Sequence, residues 1–394
     1  MIKTTVCNDE LSLLGFGMMR LPTKQDGKID ESRVREMIAY AIENGVNYFD
    51  TAYPYHNGES EIITGKILSD YPRDSYRIAS KYPGHQILDS YEPSKIFEEQ
   101  LEKCGVDYFD YYLLHNINEN SIKTYMDPKW GILEYFLEQK RLGKIRHLGF
   151  SSHGALDNLK KFLDYCGNEM EFCQIQLNYL DWTLQSAKEK YELLAAHNIP
   201  VWVMEPVRGG KLANLPNGSV EMLKQLRPDE SVAAWCFRFL QGLPNVKMVL
   251  SGMSDMEQMA DNIKTFKESK PLDENEKNII LGIAEELKSS VPCTACGYCL
   301  DGCPMSLNIP VFLSVYNEIR IAPSTIAAMR IEELSDDKKP SSCISCNACV
   351  DICPQNLDIP KHLSDLAERL KTIPSWAEVC KQRAEAAKKL NNKS

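Results

Sequence analysis

No apolar run among the 394 residues approaches the length of a bilayer span, so no transmembrane helix and no membrane partner are expected. The opening stretch MIKTTVCNDELSLLG has neither a long apolar segment nor a small-residue cleavage site. That argues against a secretory leader and, with it, against a disulfide framework. Basic charge is also short: 45 Lys and Arg against 55 Asp and Glu leave a formal charge of −10. This balance disfavours a nucleic-acid surface and suits a cytoplasmic enzyme. A glycine-rich phosphate turn is missing too, because GFGMMRLP at 15–22 lacks the third glycine and runs into TKQDGKIDES rather than a helix. A doubly wound dinucleotide fold would normally carry that turn after its first strand.

The first two-thirds of the chain has no grouped cysteines, whereas the last third has eight in two matched sets. CTACGYCLDGCP at 293–304 and CISCNACVDICP at 343–354 share the spacing C-x2-C-x2-C-x3-C-P. This spacing brings four thiolates round a loop and one helical turn, as bacterial-type ferredoxins do to hold a [4Fe–4S] cube. Two copies imply two cubes, bound by Cys293, Cys296, Cys299, Cys303, Cys343, Cys346, Cys349 and Cys353. In two-cluster proteins the fourth Cys usually reaches across to the other cluster, which groups Cys303 with Cys343, Cys346 and Cys349, and Cys353 with Cys293, Cys296 and Cys299. Zinc needs only four ligands, usually in C-x2-C pairs, with no use for a third Cys or a Cys-Pro step. The other six, Cys7, Cys104, Cys166, Cys173, Cys236 and Cys380, are scattered, as inert small hydrophobes usually are.

The repeat extends past the cysteines, since CPMSLNIPVFL at 303–313 matches CPQNLDIPKHL at 353–363. Each loop thus leads through an Ile-Pro step into an apolar-periodic segment, and the stretch between them reads as helices around Pro323. This module resembles a mainly helical dicluster ferredoxin domain. Its expected span is 286–375, followed by a helix and polar tail over 376–394.

From residue 11 to 285 a different rhythm holds, with eight strand-like runs alternating with amphipathic helices. The runs are LSLLGFG (11–17), VNYFDTA (46–52), YRIASKY (76–82), DYYLLHN (110–116), RHLGFSS (146–152), FCQIQLN (172–178), PVWVMEP (200–206) and VKMVLSG (246–252). Eight β/α units in this length favour an α/β fold of the closed (β/α)8 TIM-barrel type over residues 1–285, with any catalytic residues at the C-terminal strand ends. Those ends carry Asp50, Lys81 and His115, with Tyr55 just beyond Asp50.

The phrases NYFDTAYPYHNGESEIITGKIL, IASKY, YYLLHN, KIRHLGFSSH, QIQLNYLD and VLSGMSDMEQMADNI, in that order, resemble the aldo-keto reductase superfamily over roughly residues 10 to 270. The four strand-end residues can do the chemistry this implies. Hydride addition to a carbonyl builds negative charge on oxygen, which calls for a proton donor and a dipole aimed at that oxygen. A free Tyr phenol, with a pKa of ~10, is a weak acid near neutrality. A nearby ammonium from Lys81 would favour the phenolate and so strengthen Tyr55 as the acid. Asp50 would fix and neutralise Lys81, and His115 would hydrogen-bond the carbonyl oxygen. Taken singly, each residue could be an ordinary cap, rim or strand-end group; together they point to catalysis.

The resemblance also implies a nicotinamide cofactor, NADPH or NADH, across the barrel mouth. Ser151, Ser152, Gln174 and Asn178 match the places that hold the carboxamide. EPVRGGKLA at 205–213 resembles the loop that covers the pyrophosphate, with Pro206 ending the strand, Gly209 and Gly210 allowing close backbone approach, and Arg208 and Lys211 offering charge. GMSDMEQMADN at 252–262 resembles the adenosine-phosphate segment, through Gly252, Ser254, Gln258 and Asn262 at a helix start suited to an anion. Met204 stands where the family often has an aromatic to stack on the nicotinamide, and 252–262 holds no Lys or Arg.

A hydride carries two electrons and a [4Fe–4S] cube exchanges one at a time, so coupling the two halves calls for a converter such as a flavin, in the barrel mouth or on a partner. Three readings follow. The first is a reductase of a small carbonyl compound whose clusters connect it to a redox partner protein. In the second, the barrel only docks a nucleotide or flavin and feeds the clusters. In the third, the clusters are structural.

Overall fold

The computed structural model describes residues 1–84, 92–288, 291, 293, 297–321, 323–353 and 357–391. The chain divides into two compact units, one of Met1–Ile280 with the C-terminal segment from Ala387, the other of Leu281–Ala386, so that the last helix is shared between them. No helix among the described residues is long and apolar enough to cross a membrane.

The first unit opens on a hairpin of β1 (Lys3–Val6) and β2 (Asp9–Ser12), antiparallel with Val6 opposite Asp9. The turn residues Cys7 and Asn8 both have positive φ, 52° and 65°, as a tight turn matched to strand twist requires. Eight parallel strands follow: β3 (Leu14–Gly17), β4 (Tyr48–Asp50), β5 (Arg77–Tyr82), β6 (Phe109–Ile117), β7 (Ile145–Ser152), β8 (Cys173–Gln176), β9 (Val201–Met204) and β10 (Val246–Ser251). They pair in sequence order, and β10 closes the barrel on β3 through Val249–Leu14 and Ser251–Phe16.

All eight expected runs are barrel strands, with one boundary corrected. The run 11–17 is not one strand: Leu11 and Ser12 belong to the hairpin, and the barrel begins at Leu14. An unbroken apolar stretch hides such a break, because both strands bury their side chains. Val6 and Leu11 share an apolar cluster with Tyr48, Tyr111, Phe172, Trp202 and Met248 inside the barrel. The hairpin therefore plugs the end where strands begin, tied there by Ser12 N–H to Asn47 (2.7 Å), Thr4 to the Lys247 carbonyl (2.8 Å) and Arg77 to Asp9 (2.6 Å). The opposite end, where strands finish, stays open to function.

Some of the barrel helices carry side-chain caps. Asp30 accepts from Arg33 N–H at the start of Glu31–Glu43, and Asp255 from Gln258 N–H (2.8 Å) at the start of Met256–Phe266. Gly65, in helix Glu59–Leu68, has no room for a side chain: a Cβ there would lie 2.1 Å from the Cys104 carbonyl oxygen.

The second unit is helical, with helices Tyr298–Asp301, Ile309–Ile321, Thr325–Glu332, Ala348–Asp351, Ile359–Lys371 and Trp376–Asn391. The sequence repeat has a packing basis here. Leu307 and Leu357, Ile309 and Ile359, and Leu313 and Leu363 are equivalent pairs, and all six are buried in one core with Phe312, Val315 and Leu366. Gly297 (φ 83°) and Asn347 (φ 62°) hold the same left-handed position before the one-turn helix of each cysteine phrase.

Candidate active site and cysteine centre

Four residues meet at the C-terminal end of the barrel. Lys81, on β5, is fully buried and donates from Nζ to Asp50 Oδ1 at 2.5 Å and to the Thr51 carbonyl at 2.6 Å. Asp50 is the last residue of β4, 3% exposed. Burial opposes the Lys81 charge, but Asp50 and Tyr55 outweigh it and raise its affinity for the proton. Tyr55 starts a short helical turn, Tyr55–Gly58, that lays its ring 4.9 Å from Lys81 Nζ and edge-on to His115 at 6.1 Å. His115, on β6, is backed by Tyr125, whose hydroxyl contacts the His115 carbonyl at 2.7 Å.

Asp50 and Tyr55 line an open cleft of about 260 Å3. Of the residues expected to hold a cofactor, Gln174, Pro206, Gly209, Gly210, Gly252, Ser254, Gln258 and Asn262 line it. Gln174 is buried, yet its Oε1 has no hydrogen-bond partner among the described residues. An orphaned buried acceptor facing a cavity fits an amide donor from a ligand. Gly209 and Gly210, at φ 63° and 87°, expose backbone where a side chain would obstruct.

Ser151, Ser152, Asn178, Arg208 and Lys211 do not line the cavity. For four of them the structure shows what they contact. Ser151 Oγ accepts from Asn116 N–H (2.8 Å), and Ser152 donates to the Ile117 carbonyl (3.2 Å). Asn178 caps the turn at Asp181 N–H (2.8 Å) and donates to the Glu205 carbonyl (3.0 Å). Arg208 is buried against Asp181 at 3.1 Å, so its charge is already neutralised. Lys211 has its proton affinity lowered by burial and by the Arg208 charge.

Sequence reasoning missed the cavity's cation. Arg20, just past β3 in GFGMMRLP, pairs with Glu205 at 2.6 Å, and both line the cavity. Its position after a strand end was the available signal. Tyr125 and Trp130 are not in the lining; Tyr125 also contacts the Tyr82 carbonyl (3.0 Å), and Trp130 lies against Lys129.

In the second unit Cys303, Cys343, Cys346 and Cys349 line one small cavity with Pro304, Leu307 and Leu363. These are the three leading cysteines of one phrase and the fourth of the other. Burial, then the neighbouring Cys343, Cys346 and Cys303 sulfurs, push the Cys349 thiol up to about 11. Thiols so grouped give up their protons together only against a cationic centre, so the donor set fits an iron–sulfur cube. Leu307 N–H donates to Cys303 Sγ at 3.4 Å, a contact of the kind that tunes cluster potential. Cys293, Cys299 and Cys353 pack on the same core, and Cys296 lies outside the described residues.

The eight-stranded parallel barrel thus carries a buried Lys–Asp pair at the end where its strands finish. The chain belongs to the aldo/keto reductase family, which residues 13–285 match, and residues 292–357 match the 4Fe-4S dicluster domain. It is 25% identical over 298 residues to the NADH-specific methylglyoxal reductase of Escherichia coli (strain K12), covering 64% of this chain and 89% of that one. A Bacillus subtilis (strain 168) oxidoreductase, YqkF, is 26% identical over 290 residues, 65% of this chain and 87% of that one. The aldo-keto reductase AKR11C1 of Bacillus halodurans, in its holo form, aligns with a TM-score of 0.59 and 26% identity over 72% of this chain and 96% of its own. The protein is thus an NAD(P)H-dependent oxidoreductase with an iron–sulfur part.

Proposed function

We propose that the barrel reduces a small carbonyl compound with Tyr55 as proton donor, and that the cysteine unit holds two [4Fe–4S] clusters serving a redox partner. The observation that carries the first half is Lys81: a fully buried ammonium, fixed by Asp50, 4.9 Å from the Tyr55 ring. A nicotinamide in the cavity, NADPH or NADH, supplies the hydride. The chain's groups do the rest. His115 and Tyr55 bracket the carbonyl oxygen, Tyr55 delivers its proton there, and the Lys81 charge stabilises the phenolate left behind. Gln174 Oε1 would take the carboxamide N–H, Gly209 and Gly210 would admit the pyrophosphate, and Arg20, paired with Glu205, is the cation among the lining residues. The methylglyoxal named in the E. coli relative makes a small dicarbonyl the first substrate to try.

Cys303 beside Cys343, Cys346 and Cys349 supports crossed cluster ligation. A cube bound there exchanges single electrons. Coupling to a hydride then requires a flavin-type converter, in the barrel mouth or on the partner. A second reading, clusters as structural pins, draws on the packing of six described cysteines against the second unit's core.

The test is anaerobic NAD(P)H oxidation with methylglyoxal, wild type against Tyr55→Phe, while the visible cluster absorption is followed. Loss of about 100-fold or more in kcat for Tyr55→Phe is expected, the share usual for a general acid. Full cluster bleaching by NAD(P)H together with an unaffected Tyr55→Phe would instead make the barrel an electron-entry module.

A further inference from the structure

We propose a metal site at the strand-start end of the barrel, where Cys7, His147 and Glu171 hold a zinc-class divalent cation. One ligand atom from each lies within 4.8 Å of the other two. The donors come from three separate places: the hairpin turn, strand β7, and the segment just before β8. Cys7 is not one of the eight grouped cysteines, and this end of the barrel lies away from Tyr55 and Lys81.

Cys7 occupies a turn position at φ 52°, which Asn, Asp or Gly would fill with less strain. It is exposed, so burial does not account for it. Its neighbours do: His147 lies against the Tyr111 ring at 4.9 Å and 34°, and its Nδ1 makes a 2.9 Å hydrogen bond with Glu171 Oε2 that a bound cation would replace. Glu171 Oε1 is held from behind by Leu148 N–H at 3.0 Å and Lys140 Nζ at 2.6 Å. That outer hold orients the carboxylate and leaves Oε2 facing inward. Lys140 occupies the far oxygen, and Arg77, the other nearby cation, is engaged by Asp9 at 2.6 Å.

A thiolate and a carboxylate supply two negative charges, one of them shared with Lys140, and a neutral imidazole completes three ligands. Sulfur, nitrogen and oxygen in one set suit zinc, with the fourth position open to water on the exposed Cys7 side. Binding releases the protons of the thiol and of any imidazolium, and it fastens the hairpin plug to β7.

The test uses the full chain with its iron bound, prepared anaerobically and equilibrated with zinc chloride, then analysed for zinc and iron content and by zinc-edge X-ray absorption. One retained zinc is expected, with one sulfur and the rest nitrogen or oxygen. Cys7→Ser and Glu171→Gln should each weaken zinc by more than the about 10–100-fold that loss of an outer-shell partner brings. Iron should stay unchanged in both, and Cys380→Ser should bind zinc as the wild type does. Zinc in an all-sulfur shell, zinc gained as iron is lost, equal retention by Cys7→Ser, or no retained zinc would each overturn the proposal.

Discussion

Lys81 and Asp50 form an ion pair at 2.5 Å in which the ammonium is wholly buried and the carboxylate nearly so. Such a pair is a poor way to gain stability, because both charges give up water, yet removing one partner leaves the other stranded. Asp50→Asn should therefore destabilise by roughly 3–5 kcal/mol as well as abolish turnover. Asp50→Asn with Lys81→Met should recover much of that stability in denaturant unfolding, while carbonyl reduction stays lost. Activity returning with stability would show that the pair is only structural.

Gln174 leaves a buried acceptor unused at the cavity wall. If it receives the nicotinamide carboxamide, Gln174→Ala removes one neutral hydrogen bond, about 0.5–1.5 kcal/mol. The dinucleotide KM should rise about 2- to 12-fold. Steady-state kinetics with kcat little changed is the expected pattern. A collapse of kcat at unchanged KM would place Gln174 in the chemical step instead.

The cysteine geometry makes a pairing prediction. Cys303 shares its cavity with Cys343, Cys346 and Cys349. Cys303→Ala and Cys349→Ala should each remove the same cluster, so the double variant should hold as much iron as either single one. Cys303→Ala with Cys299→Ala should lose both clusters. Iron analysis and electron paramagnetic resonance of the reduced protein read this directly, and uncrossed ligation would reverse the two double-variant results.

How far the sequence reached follows from the range of each signal. The barrel was legible because hydrophobic rhythm is local, and Asp50, Lys81 and His115 were legible because strand ends face one mouth. The break at Leu13 was not, since both flanking strands are apolar. Arg208 and Asn178 read as ligand groups, and the structure adds that both contact Asp181, which no local pattern encodes. Cys7 passed as a scattered thiol for the same reason: its neighbours lie some 140 and 164 residues further along the chain. The paired cysteine phrases were the opposite case, with spacing alone nearly sufficient.

Glu61 offers a test of the buried network behind the site. Its Oε1 accepts from Ser80 Oγ at 2.5 Å and from Gln100 Nε2 at 2.6 Å, and Gln100 also donates to the Lys81 carbonyl at 3.1 Å. Burial lifts its carboxyl from 4.5 to about 6, against the lowering pull of Ser80 and of the Lys103 charge. An acid whose affinity for the proton is higher in the folded state binds more protons folded than unfolded between those two values. Stability therefore falls as pH rises from 4.5 to about 6, by about 2 kcal/mol from this group, and stays reduced above. Glu61→Gln keeps an oxygen for Ser80 and Gln100 but cannot ionise. Its stability relative to wild type should rise by about that amount between pH 4.5 and 7, read from urea midpoints. A constant difference across this range would mean that Glu61 titrates alike in both states and that its burial is relieved by water.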